Sequence, residues 1–238
     1  WISMIAVEAM QYMLIASNSS TGNPLDVWIL SDPNIKPQRA NQWVTGYFRN
    51  FLDNAIECSA EIYYKTSANQ VTFSEFAEPQ FKELIEEDLR FGKGRSYGIE
   101  FLLKKPEGRL SGWISYDYSR SEIKIRDIQE KDWFLSPYDS PHNINIVLIY
   151  GLTKRIDVSA DWVWRSGRPF CAPSMRYEYG NLILPYYKGR NRDRLPDFHR
   201  LDLSITFKKV FTKNKKWNDE LVLSIYNVSS GHLKPTDF

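Results

Sequence analysis

Apolar and polar residues alternate along most of this chain with a period of two. In the segment 55–66, Ile56, Cys58, Ala60, Ile62 and Tyr64 share one face, and Glu57, Ser59, Glu61, Tyr63 and Lys65 share the other. At 109–121, Leu110, Gly112, Ile114, Tyr116 and Tyr118 oppose Ser111, Trp113, Ser115, Asp117 and Ser119. At 155–167, Ile156, Val158, Ala160, Trp162 and Trp164 oppose Asp157, Ser159, Asp161, Val163 and Arg165. At 197–209, His199, Leu201, Leu203, Ile205 and Phe207 oppose Arg200, Asp202, Ser204, Thr206 and Lys208. Successive side chains of a strand point to opposite faces, so each pattern predicts a strand with one apolar side. Nine strands are predicted in all, at about 3–17, 38–51, 55–66, 96–106, 109–121, 142–153, 155–167, 197–209 and 216–228. Helical periodicity is rare. Its one candidate is a short helix from Pro79 to Arg90, whose acidic residues Glu83, Glu86, Glu87 and Asp88 fit a solvated face better than a cation site.

The connections alternate in length. Short turns are expected at Phe51 to Asn54, Pro106 to Arg109, Thr153 to Arg155 and Phe211 to Lys215. Pro106 and Gly108 are residues that turns favour. Long connections are expected at 18–37, 67–95, 122–141 and 168–196. Long irregular loops are uncommon in compact soluble domains. Short turns on one side and long loops on the other, with strands of about ten residues, are the pattern of a transmembrane β-barrel.

The two patterns check each other. Antiparallel strands put every long-loop end at one rim. On the apolar faces, the residues nearest that rim are Tyr64, Tyr97, Tyr116, Tyr118, Trp162 and Trp164. A membrane-interface girdle accounts for that sorting, because Tyr and Trp rings suit a boundary that is apolar on one side and wet on the other. A weaker second belt is expected near the short turns at Phe48, Phe101, Tyr150, Phe207 and Trp217. Two features resist the pattern. Val147 and Ile149 fall on the polar face of the sixth strand, where a plug or another buried element would cover them, and the first strand is apolar almost all round.

Composition narrows the reading. The chain has 238 residues, eight Trp and fourteen Tyr, and an aromatic fraction of 15%. Its apolar runs are short, Ile146 to Tyr150 among the longest, and a membrane helix needs about 20 such residues. A membrane protein of this sequence must therefore be a barrel, since only helices and closed barrels satisfy their backbone in lipid. The net charge of +2 offers no basic stripe for nucleic acid. Cys58 and Cys171 are the only cysteines, and they read as two incidental thiols rather than a disulfide. The chain opens at Trp1 inside a predicted strand and without a signal peptide, so a piece of a longer protein is expected. Nine strands with long loops suggest an arc of a wide barrel rather than a complete small one.

Seven blocks carry a resemblance. They are Lys36-Pro-Gln-Arg-Ala-Asn-Gln with Gly46-Tyr-Phe-Arg-Asn50; Gly92-Lys-Gly-Arg-Ser-Tyr-Gly-Ile-Glu100; Gly112-Trp-Ile-Ser-Tyr-Asp-Tyr-Ser-Arg120; Tyr138-Asp-Ser-Pro-His-Asn143; Ser166-Gly-Arg-Pro169; Arg194-Leu-Pro-Asp-Phe-His-Arg-Leu-Asp-Leu203; and Ser224-Ile-Tyr-Asn-Val228. In this order the chain resembles the C-terminal half of the barrel of TonB-dependent receptors, especially the Bacteroidetes type with a carboxypeptidase-regulatory-like N-terminal domain. The resemblance implies an all-β fold in the outer membrane, residues 1–238 being about nine antiparallel strands of a 22-stranded barrel. It implies as partners outer-membrane lipid, a lumenal plug domain in the full-length chain, and TonB, which pulls a motif before the plug. Plug, TonB-binding motif and closing strands are not recognisable here, so the piece is not expected to transport alone. Implied cargoes are iron chelates, cobalamin, oligosaccharides and peptides.

No nucleophile motif, phosphate loop or Cys/His metal motif is present, so no enzyme, cofactor or metal is expected. Asp139 with His142, and His199 with Asp197 and Asp202, are formal acid–base pairs, but the resemblance makes both segments strand-initiating, with polar groups serving register and loop anchoring. Cargo contacts are expected from loop aromatics and a nearby cation: Trp28, Trp133, Phe134, Tyr177, Tyr179, Tyr186, Tyr187 and Arg190. The alternative for each aromatic is loop-on-loop packing. Arg165, Arg168, Arg176, Arg190, Arg192 and Arg194 gather around one loop and suggest an anionic ligand, lipopolysaccharide or an acidic cargo. Two other functional classes compete. A secreted or surface β-sandwich binding module would bury the Tyr64, Tyr97 and Trp162 faces, and a secreted all-β hydrolase would need a convergent carboxylate pair.

Overall fold

The computed structural model describes residues 2–4, 12–16, 26–31, 34–73, 89–126, 132–180, 182–186, 191–208 and 220–229. All the regular structure among them is strand. In chain order the strands are β1 (Ile2–Met4), β2 (Tyr12–Ala16), β3 (Asp26–Leu30), β4 (Arg39–Phe51), β5 (Ile56–Phe73), β6 (Leu89–Lys105), β7 (Leu110–Ile125), β8 (Phe134–Leu135), β9 (His142–Thr153), β10 (Ile156–Arg165), β11 (Pro169–Phe170), β12 (Met175–Tyr179), β13 (Leu182–Tyr186), β14 (Asp193–Arg194), β15 (Phe198–Lys208) and β16 (Glu220–Ile225). The main sheet is antiparallel and runs β1-β4-β5-β6-β7-β9-β10-β15-β16, with β8 added beside β7. Sequential strands are neighbours throughout, as in a meander. Among the described residues β1 and β16 do not pair with each other, so the sheet is an open arc.

The register turns the alternation into two surfaces. One cross-sheet row is Tyr47, Ala60, Phe101, Tyr116, Ile144, Trp164 and His199. The neighbouring row on the other surface holds Glu61, Glu100, Asp117, Asn143, Arg165 and Phe198. On the polar surface, side chains bond across strands: Ser96 to Ser121 at 3.0 Å, Asn143 Nδ2 to Asp117 at 2.8 Å, and Ser159 to Ser204 at 2.6 Å. The apolar surface lies open. Trp43, Tyr64, Tyr97 and Phe101 are exposed, Tyr64 at 43%. No second layer covers them among the described residues, which removes the β-sandwich reading.

The turns form where local chemistry favours them. Between β4 and β5, Leu52, Asp53 and Asn54 all take left-handed φ, and Ala55 N–H closes on Leu52 O at 3.0 Å. Asp and Asn tolerate that region better than most residues. Between β6 and β7, Gly108 sits at φ 113°, which an L side chain rarely adopts.

The structure corrects the long connections. The expected strand 3–17 is broken into β1 and β2, and β2 pairs not with the main sheet but with β3, inside the expected loop 18–37. The loop 67–95 is mostly ladder: β5 runs to Phe73 and β6 starts at Leu89, with a bulge at Asn69. Leu89 and Arg90 are therefore strand rather than the end of a helix, and the acidic residues Glu83 to Asp88 lie outside the described residues. In the loop 122–141, β7 continues to Ile125 and β8 pairs with it. The loop 168–196 contains β11 paired with β14 and, nested inside, β12 paired with β13. A hairpin that extends past the sheet satisfies its backbone with its own partner strand; β12, exposed at every position, needs no alternation, so its periodic signal fades.

The second belt also needs correction. Phe48 pairs with Ser59 on the polar surface, where its ring lies over Gly46; Tyr47 takes the apolar side. Trp217 lies outside the described residues.

Candidate functional site

The site that the tertiary structure builds is the long-loop rim above β7, β9 and β10. Asp139 is its centre. The ladder between β7 and β9 is interrupted there by the excursion from Ser136 to Pro141. Asp139 Oδ1 fills the gap by accepting the Ser121 N–H at 2.7 Å, while Ser119 N–H reaches Pro141 O at 2.9 Å. The Asp139 residue is only 1% exposed. A buried carboxylate requires partners. Arg194 supplies an ion pair through Nη2, and Arg120 stands at 3.7 Å. Arg194 Nη1 donates to Gly167 O at 2.8 Å, so one guanidinium grips both loops.

Further bonds draw the same loops together. Ser140 Oγ donates to Ser166 O at 2.9 Å, and His142 N–H donates to Ser166 Oγ at 2.9 Å. Gly167 N–H donates to Asp197 Oδ1 at 3.0 Å, and Asn191 Nδ2 donates to Leu135 O at 2.7 Å. A Cβ at Gly167 would run into the backbone of Leu195. Only glycine lets those two stretches approach so closely. Three of the blocks singled out in the sequence, at 138–143, 166–169 and 194–203, thus converge in one clasp. Sequence reasoning expected loop anchoring there but not the Asp139–Arg194 pair, which spans 55 residues.

This geometry leaves no acid–base pair. Asp139 is consumed by Arg194. His142 Nδ1 lies 2.9 Å from Tyr116 Oη, and His199 pairs with Trp164 on the apolar surface. Asp202 serves β16 instead, accepting Asn227 N–H at 2.8 Å where Asn227 adopts left-handed φ. Of the loop arginines, Arg194 is committed to the clasp, Arg165 Nε donates to Asn143 Oδ1 at 3.1 Å on the polar surface, and Arg190 lies outside the described residues. Cys58 and Cys171 are free, and Asn191 N–H points at Cys171 Sγ, 3.4 Å away.

The girdle residues fall into a belt that drifts. Trp43 stacks with Tyr64 at 6.1 Å between centroids, and Tyr64 with Tyr97 at 6.5 Å. Further along, Tyr118 meets His142 at 5.3 Å and His142 meets Trp164 at 6.3 Å. Tyr97 is level with Arg120 of β7, whereas Trp164 is level, through Ile144, with Tyr116, four residues nearer the short turns. Tilted barrel strands produce a shifting register of this kind. The residues matched by the family of TonB dependent receptor-like β-barrels are 11–228. The chain belongs to that family. No curated protein and no solved structure matches it.

In this TonB-dependent receptor barrel, the expected cargo residues separate into distinct settings. Trp133 packs under the Arg95 guanidinium at 4.3 Å, and Phe134 is buried against Ile123 and Ile125. Both pack within the rim. Tyr177, Tyr179 and Tyr186 belong to the β12–β13 ribbon and are exposed, Tyr179 at 75%. The register puts Met175, Tyr177 and Tyr179 on one face with Leu182 and Tyr186. Trp28 is placed in β3 by its backbone, and Tyr187 lies outside the described residues. A cleft of about 1020 Å³ opens between β4 and β7, lined by Gln42, Glu61, Lys65, Ser67, Gln70 and Ser96 of the polar surface. The barrels of this family are receptors and transporters, not enzymes.

Proposed function

We propose that this chain is an arc of a larger barrel in the outer membrane, about nine strands of a 22-stranded receptor of the Bacteroidetes type. In that receptor it takes part in TonB-energised uptake of an iron chelate, oligosaccharide, peptide or cobalamin. The observation that carries the reading is the drifting aromatic belt on the uncovered apolar surface, which suits lipid as the solvent of that surface. The polar surface faces the lumen, where a plug domain from elsewhere in the full-length protein covers Val147 and Ile149. TonB acts on the segment before that plug. Cargo meets the exposed ribbon tyrosines Tyr177, Tyr179 and Tyr186, together with Tyr187, Arg190 and Trp28. Trp133 and Phe134 support that rim from within.

The test is fractionation of cells that express the full-length protein. Recovery in the outer membrane, a heat-modifiable band on a gel, and cargo uptake that stops when TonB is deleted are the expected results. Recovery in a soluble fraction refutes the reading.

A further inference from the structure

The ribbon β12–β13 is a two-stranded sheet, so among the described residues each of its strands has one unpaired edge. Its register sets Arg176 against Pro185 and Glu178 against Ile183. Proline has no N–H, so Arg176 and Pro185 cannot exchange the two bonds of a hydrogen-bonded pair. They form the other kind of antiparallel pair, in which both residues turn their backbone groups outward. The two kinds alternate, so Glu178 and Ile183 turn theirs outward as well. The edges therefore differ. That of β13 lacks a donor at Pro185, and proline is one of the residues by which natural sheets blunt an edge. That of β12 presents the N–H and C=O of both Arg176 and Glu178, and every residue from Met175 to Tyr179 is exposed.

The side chains of β12 define the strand that fits. Met175, Tyr177 and Tyr179 line one face of the edge, and Arg176 and Glu178 line the other. Antiparallel addition continues the ribbon's own pattern and is the stabler pairing. It sets an apolar residue beside Tyr177, an acidic one opposite Arg176 and a basic one opposite Glu178, because opposite charges across a ladder attract. Of the cargo classes named under Proposed function, only a peptide carries N–H and C=O groups at the two-residue repeat of a strand. We infer that the free edge of β12 binds an extended peptide as an antiparallel third strand of the ribbon, its order from the N-terminus being basic, apolar, acidic. The inference rests on the ribbon being a cargo surface, as given under Proposed function, and selects one class from those named there.

The test uses the intact receptor, purified from outer membranes in a non-ionic detergent. The probe is the end-blocked, fluorescently labelled peptide Leu-Lys-Leu-Glu-Leu, its binding read by fluorescence anisotropy. Laid antiparallel on β12, it puts Lys opposite Glu178, its middle Leu beside Tyr177 and Glu opposite Arg176. The Lys and Glu amides then point into the ladder, and the middle Leu amide points away. Methylating the two inward amides is expected to weaken binding by at least about tenfold, and methylating the middle Leu amide to leave it within about threefold. The R176E/E178R receptor is expected to bind this peptide at least about tenfold more weakly and to prefer Leu-Glu-Leu-Lys-Leu. Equal losses from the two methylations, or undiminished binding by R176E/E178R, overturns the site. So does failure of every peptide to bind, and TonB-dependent uptake of another cargo then leaves the earlier reading standing. R176P removes an outward donor and leaves the ladder to β13 alone; receptor dimerisation that R176P abolishes assigns the edge to a second copy and overturns the peptide. The methylated peptides are compared on the unaltered receptor, so they decide even if a variant fails to assemble. A receptor that never reaches the outer membrane fails the earlier reading instead, before peptide is added.

Discussion

Asp139 and Arg194, 55 residues apart, close an ion pair, buried on its carboxylate side, that ties the connection before β9 to the connection before β15. The pair explains why two loops of a barrel rim hold a defined shape. Asp139 replaces a missing ladder acceptor for Ser121, and Arg194 carries the link on to Gly167 O.

Arg194→Ala leaves the buried Asp139 carboxylate with Arg120 at 3.7 Å, and Asp139→Ala leaves a partly exposed Arg194, so each should cost less than the about 3–5 kcal/mol of breaking a fully buried pair. Asp139→Ala also strands the Ser121 N–H. Limited trypsin digestion of the membrane-embedded receptor should cut near Arg176 much faster in Asp139→Ala and Arg194→Ala than in the parent. Cutting at the parental rate would show that the clasp does not hold the loop.

Gly167→Ala should reproduce part of that loosening, because the new Cβ meets the Leu195 backbone, which cannot rotate away. A cost of about 1–3 kcal/mol is expected for such overpacking. Ser166→Ala, which removes the hydroxyl that His142 N–H bonds, should cost about 1 kcal/mol. Urea unfolding in lipid vesicles ranks the two, and the glycine variant should be the less stable.

Adjacent residues of β9 should respond oppositely to the same change. Ile146 pairs with Ile114 and Trp162 on the apolar surface, while Asn145 bonds Ser115 on the polar one. Ile146→Arg should destabilise the barrel by about 2–4 kcal/mol, as a cation near the bilayer midplane does. Asn145→Arg should change stability by less than about 1 kcal/mol. Equal losses would contradict lipid on one side and lumen on the other.

The ribbon tyrosines yield a prediction about cargo rather than stability. Tyr177, Tyr179 and Tyr186 are exposed on one face of β12–β13. Replacing all three by Ala should leave heat-modifiability unchanged and weaken cargo binding by about tenfold or more, read as Kd on the intact receptor. An unchanged Kd would remove them from the cargo site.

The membrane-spanning half of the fold was legible because lipid and lumen impose opposite demands on alternate residues. The segments at 38–51, 142–153, 155–167 and 197–209 therefore match β4, β9, β10 and β15 closely. Where both faces of a ribbon meet water, as in β12, that demand vanishes and the periodic trace with it; β2 falls inside the expected strand 3–17, while its partner β3 falls in the expected loop 18–37. Phe48 was misplaced because an aromatic residue on the lumen side looks the same in sequence as one facing lipid, until register assigns it to Ser59.

From its own order of residues, the chain determined a tilted, two-sided antiparallel sheet with an aromatic rim, since period-two patterning acts locally and survives without knowledge of neighbours. The tertiary structure alone decided which distant groups meet: Asp139 with Arg194, Gly167 with Leu195, Lys93 with Lys124. Those pairings depend on strand register and loop closure, quantities set by all the strands together and written in no single segment.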